Sequence, residues 1–198
     1  MIIAKKPENE GNFEQIPAGT YQAVCYAVWD LGIQTTTWEG QEKKQHKIVI
    51  AWELNETMKE GDNNGKRFTV SKRYTNSLGD MANLKKDLES WRGQPFTPEE
   101  LNGFDVETVI GVNCQLGIIH KESNGKTYSN ISSISSLMKN MPVMQAVTSN
   151  AIPEWIQKIK MKSVPIMSGD PSDIGMDQNA VNELDSVSAI DDPFGPQG

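Results

Sequence analysis

Along "HKIVIAWEL" apolar and polar positions alternate, with Ile48, Ile50, Trp52 and Leu54 on one side of an extended chain and Lys47, Val49, Ala51 and Glu53 on the other. Successive side chains of a strand point to opposite faces, so this period predicts a half-buried strand. Upstream, "GTYQAVCYAVWDLG" is β-branched and aromatic and predicts a first strand that stops near Asp30. Residues 31–45 then read as a long polar loop. Asn64-Gly65 marks a hairpin, expected as a type I′ turn, that returns the chain into a third strand, "KRFTVSKRYT". The spacing changes in "SLGDMANLKKDLESWRG", where Leu78, Met81, Leu84, Leu88 and Trp91 form a helical stripe and Gly93 supplies the stop. A fourth strand is predicted over Val106–His120, with Ile110, Val112, Cys114 and Leu116 alternating against Gly111, Asn113 and Gln115. Asn124-Gly125 turns it into a fifth, "KTYSNISSIS". One short amphipathic helix is predicted near 152–162.

Three strands, a helix and two more strands, all short and antiparallel, predict a mainly β fold. The order is that of the OB-fold, a five-stranded Greek-key barrel with one helix between strands 3 and 4. The chain divides into an N-terminal arm (1–17), the barrel (18–136), a linker with a short helix (137–168) and a tail (169–198). Whether residues 137–168 pack on the barrel is left open by the sequence, although Trp155 and Ile156 argue for some docking. The tail is rich in Gly, Ser, Pro, Asn and Asp and buries too little apolar surface to offset the entropy of ordering it, so it is expected to be disordered.

Charge separates the tail from the rest. Residues 169–198 hold seven of the 26 acids (Asp170, Asp173, Asp177, Glu183, Asp185, Asp191 and Asp192) and none of the 19 bases, so the formal charge of -7 belongs to the tail and the body is balanced. An acidic average therefore does not exclude a polyanionic partner for the body. Within it, residues 43–92 carry eleven bases against seven acids.

Reactive constellations are missing from the sequence. "GDNNGKR" is one residue short of a phosphate-binding loop and offers Arg67 where a magnesium-binding hydroxyl belongs. His46 and His120 have no sequence-level partners for a triad or metal site, and the acids lack nuclease spacing. The expectation is a protein that is not an enzyme and needs no cofactor or metal. Cys25 and Cys114 are distant in sequence and sit in apolar stretches. With neither a signal-like region nor a run of ~18 apolar residues, a reducing cytoplasmic setting is expected, and no membrane partner.

The binding candidates combine cations with aromatics. In the third strand, Arg67, Thr69, Ser71 and Arg73 alternate with Phe68, Val70, Lys72 and Tyr74; the first loop sets Trp38 beside Lys43 and Lys44; the last hairpin carries Lys121, Lys126 and Tyr128. Cations that track phosphates and rings that stack on bases are the chemistry of single-strand binding. The predicted interface is Trp38, Lys43, Lys44, Arg67, Phe68, Lys72, Arg73, Tyr74, Lys126 and Tyr128.

The strand order over 18–136, the basic and aromatic third strand and the acidic terminus "DDPF" resemble the single-stranded DNA-binding proteins, above all those of bacteriophages. "IPAGTYQA" and "NGKTYSNISSI" look like phage-encoded OB-type proteins found near replication and recombination genes. The resemblance implies a protein that coats single-stranded DNA without strong sequence preference during phage DNA replication or recombination, in the host cytoplasm. It also implies an acidic tail that recruits partner proteins through Asp191, Asp192, Pro193 and Phe194. "GPQG" follows Phe194, so the terminal carboxylate that bacterial relatives present beside their phenylalanine is displaced. The rival expectation is a phage-encoded β-barrel that binds a host or phage protein rather than DNA. Oligomeric state is not legible.

Overall fold

Strand β1 (Gly19–Trp38) and β2 (Gln41–Thr57) form one long antiparallel hairpin whose register runs from Ala23↔Leu54 to Trp38↔Gln41. The computed structural model describes residues 14–38, 41–123 and 125–163. The expected polar loop over 31–45 is thus strand on both sides of a two-residue gap. Its residues, Gln34 to Thr37 facing Glu42 to Gln45, are polar on both faces, so hydrophobic periodicity carries no signal there. Backbone pairing and threonine's preference for extended chain suffice.

Strand β3 (Arg67–Thr75) pairs with β2, β4 (Asn113–Ser123) with β1, and β5 (Lys126–Ser136) with β4, all antiparallel, giving the order β3-β2-β1-β4-β5. Helices α1 (Asn83–Arg92) and α2 (Pro98–Leu101) follow β3, and α3 (Glu154–Met161) follows β5. The β3–β4 connection is richer than one helix, because a 3-10 turn at Val106–Val109, opened by Asp105 accepting from the Glu107 amide at 2.9 Å, replaces the start of the expected fourth strand. Ile110 and Val112, placed inside by simple alternation, are exposed. Nor is the β2–β3 turn type I′. Asn64 has φ -49 and ψ 131, Gly65 has φ 82, and the Lys66 amide donates to Asn63 O at 3.0 Å, the geometry of a type II turn.

One face of the sheet carries the main core: Cys25, Ile48, Ile50, Trp52, Leu54, Phe68, Val70, Tyr74, Cys114, Leu116 and Ile134, closed over by Leu84, Leu88 and Trp91 of α1. Helix α1 packs on β5 and β3, and ends at Gly93, whose φ of 72 is the left-handed cap that glycine adopts without a Cβ clash. Trp91 donates its indole N–H to Asn113 O at 3.0 Å, and Ser90 donates to Ile134 O at 2.6 Å. Burial drives both thiols up, Cys25 to about 12 and Cys114 further, the latter also through its neighbour Cys25.

The expected half-burial of β2 fails on the second face, which is covered as well. A β-bulge between Cys25 and Ala27 resets the alternation of β1, so Tyr26, Ala27, Trp29 and Leu31 join Val49 and Ala51 of β2 on the outer side. Ile156 of α3 is fully buried against them, with Trp155 edge-on to Trp29 at 6.1 Å between ring centroids. Burying one isoleucine is worth about 1.5–3 kcal/mol. The described part of the linker, 137–163, therefore docks on the sheet. No helix among the described residues is long and apolar enough to cross a membrane.

Candidate functional site

Register divides the third-strand candidates between two faces. Lys72 and Tyr74 pair with Ile50 and Ile48, on the core side, whereas Thr69, Ser71 and Arg73 pair with Glu53, Ala51 and Val49, on the outer side. Phe68 and Tyr74 are buried and present no ring face to a base, which corrects their expected role as stacking platforms. Lys72 shares their side of β3. Its ammonium donates to Asp87 Oδ2 of α1 at 2.7 Å, the Tyr74 hydroxyl donates to the same oxygen at 2.7 Å, and the ammonium lies 5.3 Å from the Tyr74 ring centroid. This trio ties α1 to the sheet. Lys72 is spent on that contact.

Arg67 is also committed. Its Nη1 donates to Glu53 Oε1 at 2.6 Å and to Gln145 O at 2.9 Å. Glu53 is fully buried on β2, and its other oxygen accepts the amides of Val147 at 3.0 Å and Thr148 at 2.7 Å. Burial alone pushes the Glu53 carboxyl up; hydrogen bonds from Thr148, Arg67 and Val147 outweigh it and hold the group below the ordinary range. Glu53 was assigned to a solvent-facing side by alternation. Only a lone acid in an otherwise apolar run hinted at more.

Other sheet side chains address the same crossing segment. Gln22 donates to Pro142 O at 2.7 Å, Asn113 donates to Met144 O at 3.0 Å and accepts from Met144 N at 2.8 Å, and the Trp29 indole reaches Asn150 O at 3.4 Å. Residues 142–150 thus form a strap across β4, β1, β2 and β3, held by side chains of the sheet acting on the strap's main chain. Sequence reasoning did not find this clamp, because its members are scattered over 92 positions and none belongs to a motif.

The remaining candidates stand on two hairpin arms. In the first, the β2–β3 ladder ends at Lys47↔Thr75, so β1 and β2 continue as a two-stranded ribbon in which Thr36 pairs with Lys43, Thr35 with Lys44 and Trp38 with Gln41. Lys44 is exposed and Lys43 half-buried. In the second, Lys121 pairs with Tyr128 and Ser123 with Lys126, which puts Lys121, Lys126 and Tyr128 on one face of the β4–β5 hairpin. Lys121 and Lys126 are exposed and Tyr128 half-buried. No ion pair joins Lys44, Lys121 or Lys126 to a described residue. The arms leave opposite ends of β1, since β4 runs towards its hairpin from Val24 past Gly19, away from Trp38.

His46 has partners after all: its Nε2 lies 2.6 Å from Asp30 Oδ1 and its Nδ1 3.3 Å from Asn76 Nδ2. Burial raises the Asp30 carboxyl, but the Gly32 amide and His46 lower it more, to a net value below its ordinary one. His120 reaches Ile16 O at 2.8 Å. Asp191, Asp192, Pro193 and Phe194 lie outside the described residues.

No protein-family model matches this chain, and no curated protein is significantly similar to it.

Proposed function

We propose that the chain is a non-enzymatic protein that binds single-stranded DNA without strong sequence preference in phage replication or recombination, and that its sheet is a partly open OB-type barrel. The strand order supports the barrel: β3 and β5 are the two ends of the ladder and approach one another, with α1 packed on both. The observation that carries the binding reading is the pair of arms, on which exposed Lys44, Lys121 and Lys126 have no described acid to neutralise them. Free ammonium groups on a projecting ribbon can displace counterions from phosphates, and Tyr128 beside two of them offers a surface for one base. Trp38, at the end of the longer arm, is the second stacking residue in this reading. Arg67, Lys72, Phe68 and Tyr74 have no part in it, being engaged in the fold.

Titration of labelled oligo-dT at several salt concentrations tests the reading. Affinity is expected to fall with salt, with a log–log slope of about -0.7 per phosphate contacted. Absence of salt-sensitive binding would end it. The acidic tail is proposed to recruit partner proteins through Asp191 to Phe194 and to compete with DNA for the cationic arms. Deleting residues 169–198 should tighten DNA binding.

A second reading, a module that binds protein rather than DNA, is favoured by the Glu53 clamp, which holds an extended polypeptide by its main chain. A gel shift with single-stranded oligonucleotides separates the two.

A further inference from the structure

The strap is bound like a peptide ligand. Six of its main-chain positions, Pro142, Met144, Gln145, Val147, Thr148 and Asn150, are hydrogen-bonded by Gln22, Asn113, Arg67, Glu53 and Trp29 of the sheet. Of its side chains only Met144 is buried, while Val143, Gln145, Ala146 and Val147 are exposed. A groove of this kind reads backbone and one apolar anchor. It is unsuited to a polyanion, because the fully buried Glu53 carboxylate at its centre accepts amide hydrogens and repels phosphate.

The strap reaches its groove through a tight reversal just after β5. The Met141 amide donates to Met138 O at 3.1 Å, closing a β-turn whose third residue, Asn140, has φ 67. It is the non-glycine residue with positive φ among those described. A left-handed conformation costs any residue with a Cβ more than it costs glycine. Opening this turn into extended chain relieves that cost and carries the strap and α3 away from their own sheet. The chemistry that then fits the vacated groove is the strap of another copy, which makes every contact unchanged.

We infer that the outer groove of the sheet is a docking surface for the strap of a second copy of this chain, and that two copies exchange residues 142–163 reciprocally about a hinge at 138–141. Residue-for-residue replacement of the contacts leaves the hinge to set the balance, as in domain swapping generally. The inference does not depend on DNA binding.

The test uses the full chain and two hinge variants, with mass measured by light scattering over a concentration series. Deleting Lys139 and Asn140, both exposed, leaves the hinge too short to reverse, and a dimer is expected to predominate. In N140G the reversal is relaxed, and dimerisation should move to about fivefold higher concentration. Hydrogen exchange shows whether the strap stays docked, since the Val147 and Thr148 amides should remain protected in the dimer. A disulfide in the double variant Gln22→Cys, Pro142→Cys distinguishes exchange from any other dimer, because it should link two chains, and a disulfide closed within one chain of the dimer overturns the inference. A parent chain that stays at 22.0 kDa across the whole series, or a deletion variant that stays monomeric with those amides protected, overturns the inference. So does a dimer in which they exchange at the rate of free chain, or an N140G chain that dimerises more readily than the parent.

Discussion

Tyr74 shows how one hydroxyl can decide between a binding residue and a structural one. Its ring is fully buried and its O–H meets Asp87 beside the Lys72 ammonium. Tyr74→Phe is therefore expected to lower unfolding stability by about 1–2 kcal/mol in denaturant titration, and to leave oligonucleotide affinity unchanged. Lys126→Glu should do the reverse, reducing the salt slope of DNA binding with little effect on stability. The sequence already placed Phe68, Val70, Lys72 and Tyr74 on one side of β3. What misled was Lys72: a cation in that set read as a wet face, whereas its long stem lies along the core and delivers the charge to α1. Glu53 is the converse case, a carboxylate on a face that alternation assigned to water. Breaking its pair by Glu53→Ala leaves Arg67 without its acid and the Val147 and Thr148 amides without an acceptor. The expected loss is about 3–5 kcal/mol, measured by chemical denaturation.

Among elements, α3 and the strap before it explain why β2 is buried on both sides. Ile156→Ala should cost about 2–5 kcal/mol and raise hydrogen exchange across 142–163 well before it affects α1. This docking also gives the strap a pH dependence. Glu53 has a folded-state pKa below its unfolded one, so its contribution is full above the unfolded value near pH 4 and is lost as pH falls through the folded value. Asp30, lowered in the same direction, adds to the same acid-side loss. Monitoring Trp29 and Trp155 fluorescence during acid titration should show the strap loosening as a step below about pH 4, and Glu53→Gln should shrink that step to the part that Asp30 contributes. Legibility differed sharply between elements. The helical stripe of α1 and the amphipathic 152–162 segment could be read because their apolar spacing is strong. The β1–β2 ribbon and the 3-10 turn at Val106–Val109 could not, since polar threonines carry no hydrophobic period and a local Asp105 cap overrides an alternating pattern.

For the whole molecule, the mainly β character and the five strands were legible, and the second layer on the outer face was not. Periodicity reports which residues want burial; it does not say which segment will cover them. Bulges compounded this, because the extra residue near Tyr26 turned an inward series into an outward one without any change in composition. The candidate site suffered in the same way: cations and aromatics stand grouped in the sequence, but tertiary contacts engage Arg67 and Lys72 of β3 and leave Lys44, Lys121 and Lys126 of the arms without a described acid. The two cysteines carry a practical consequence. Both are enclosed between sheet and α1, with thiols that scarcely ionise near neutral pH, and the thiolate is the species that alkylating reagents attack. In its native state the chain should be silent to maleimide, so a single cysteine placed at exposed Lys44 or Lys126 can be labelled in the parent background. Slow modification of Cys25 and Cys114 then becomes a clock for global opening, readable by mass as two additions that appear together.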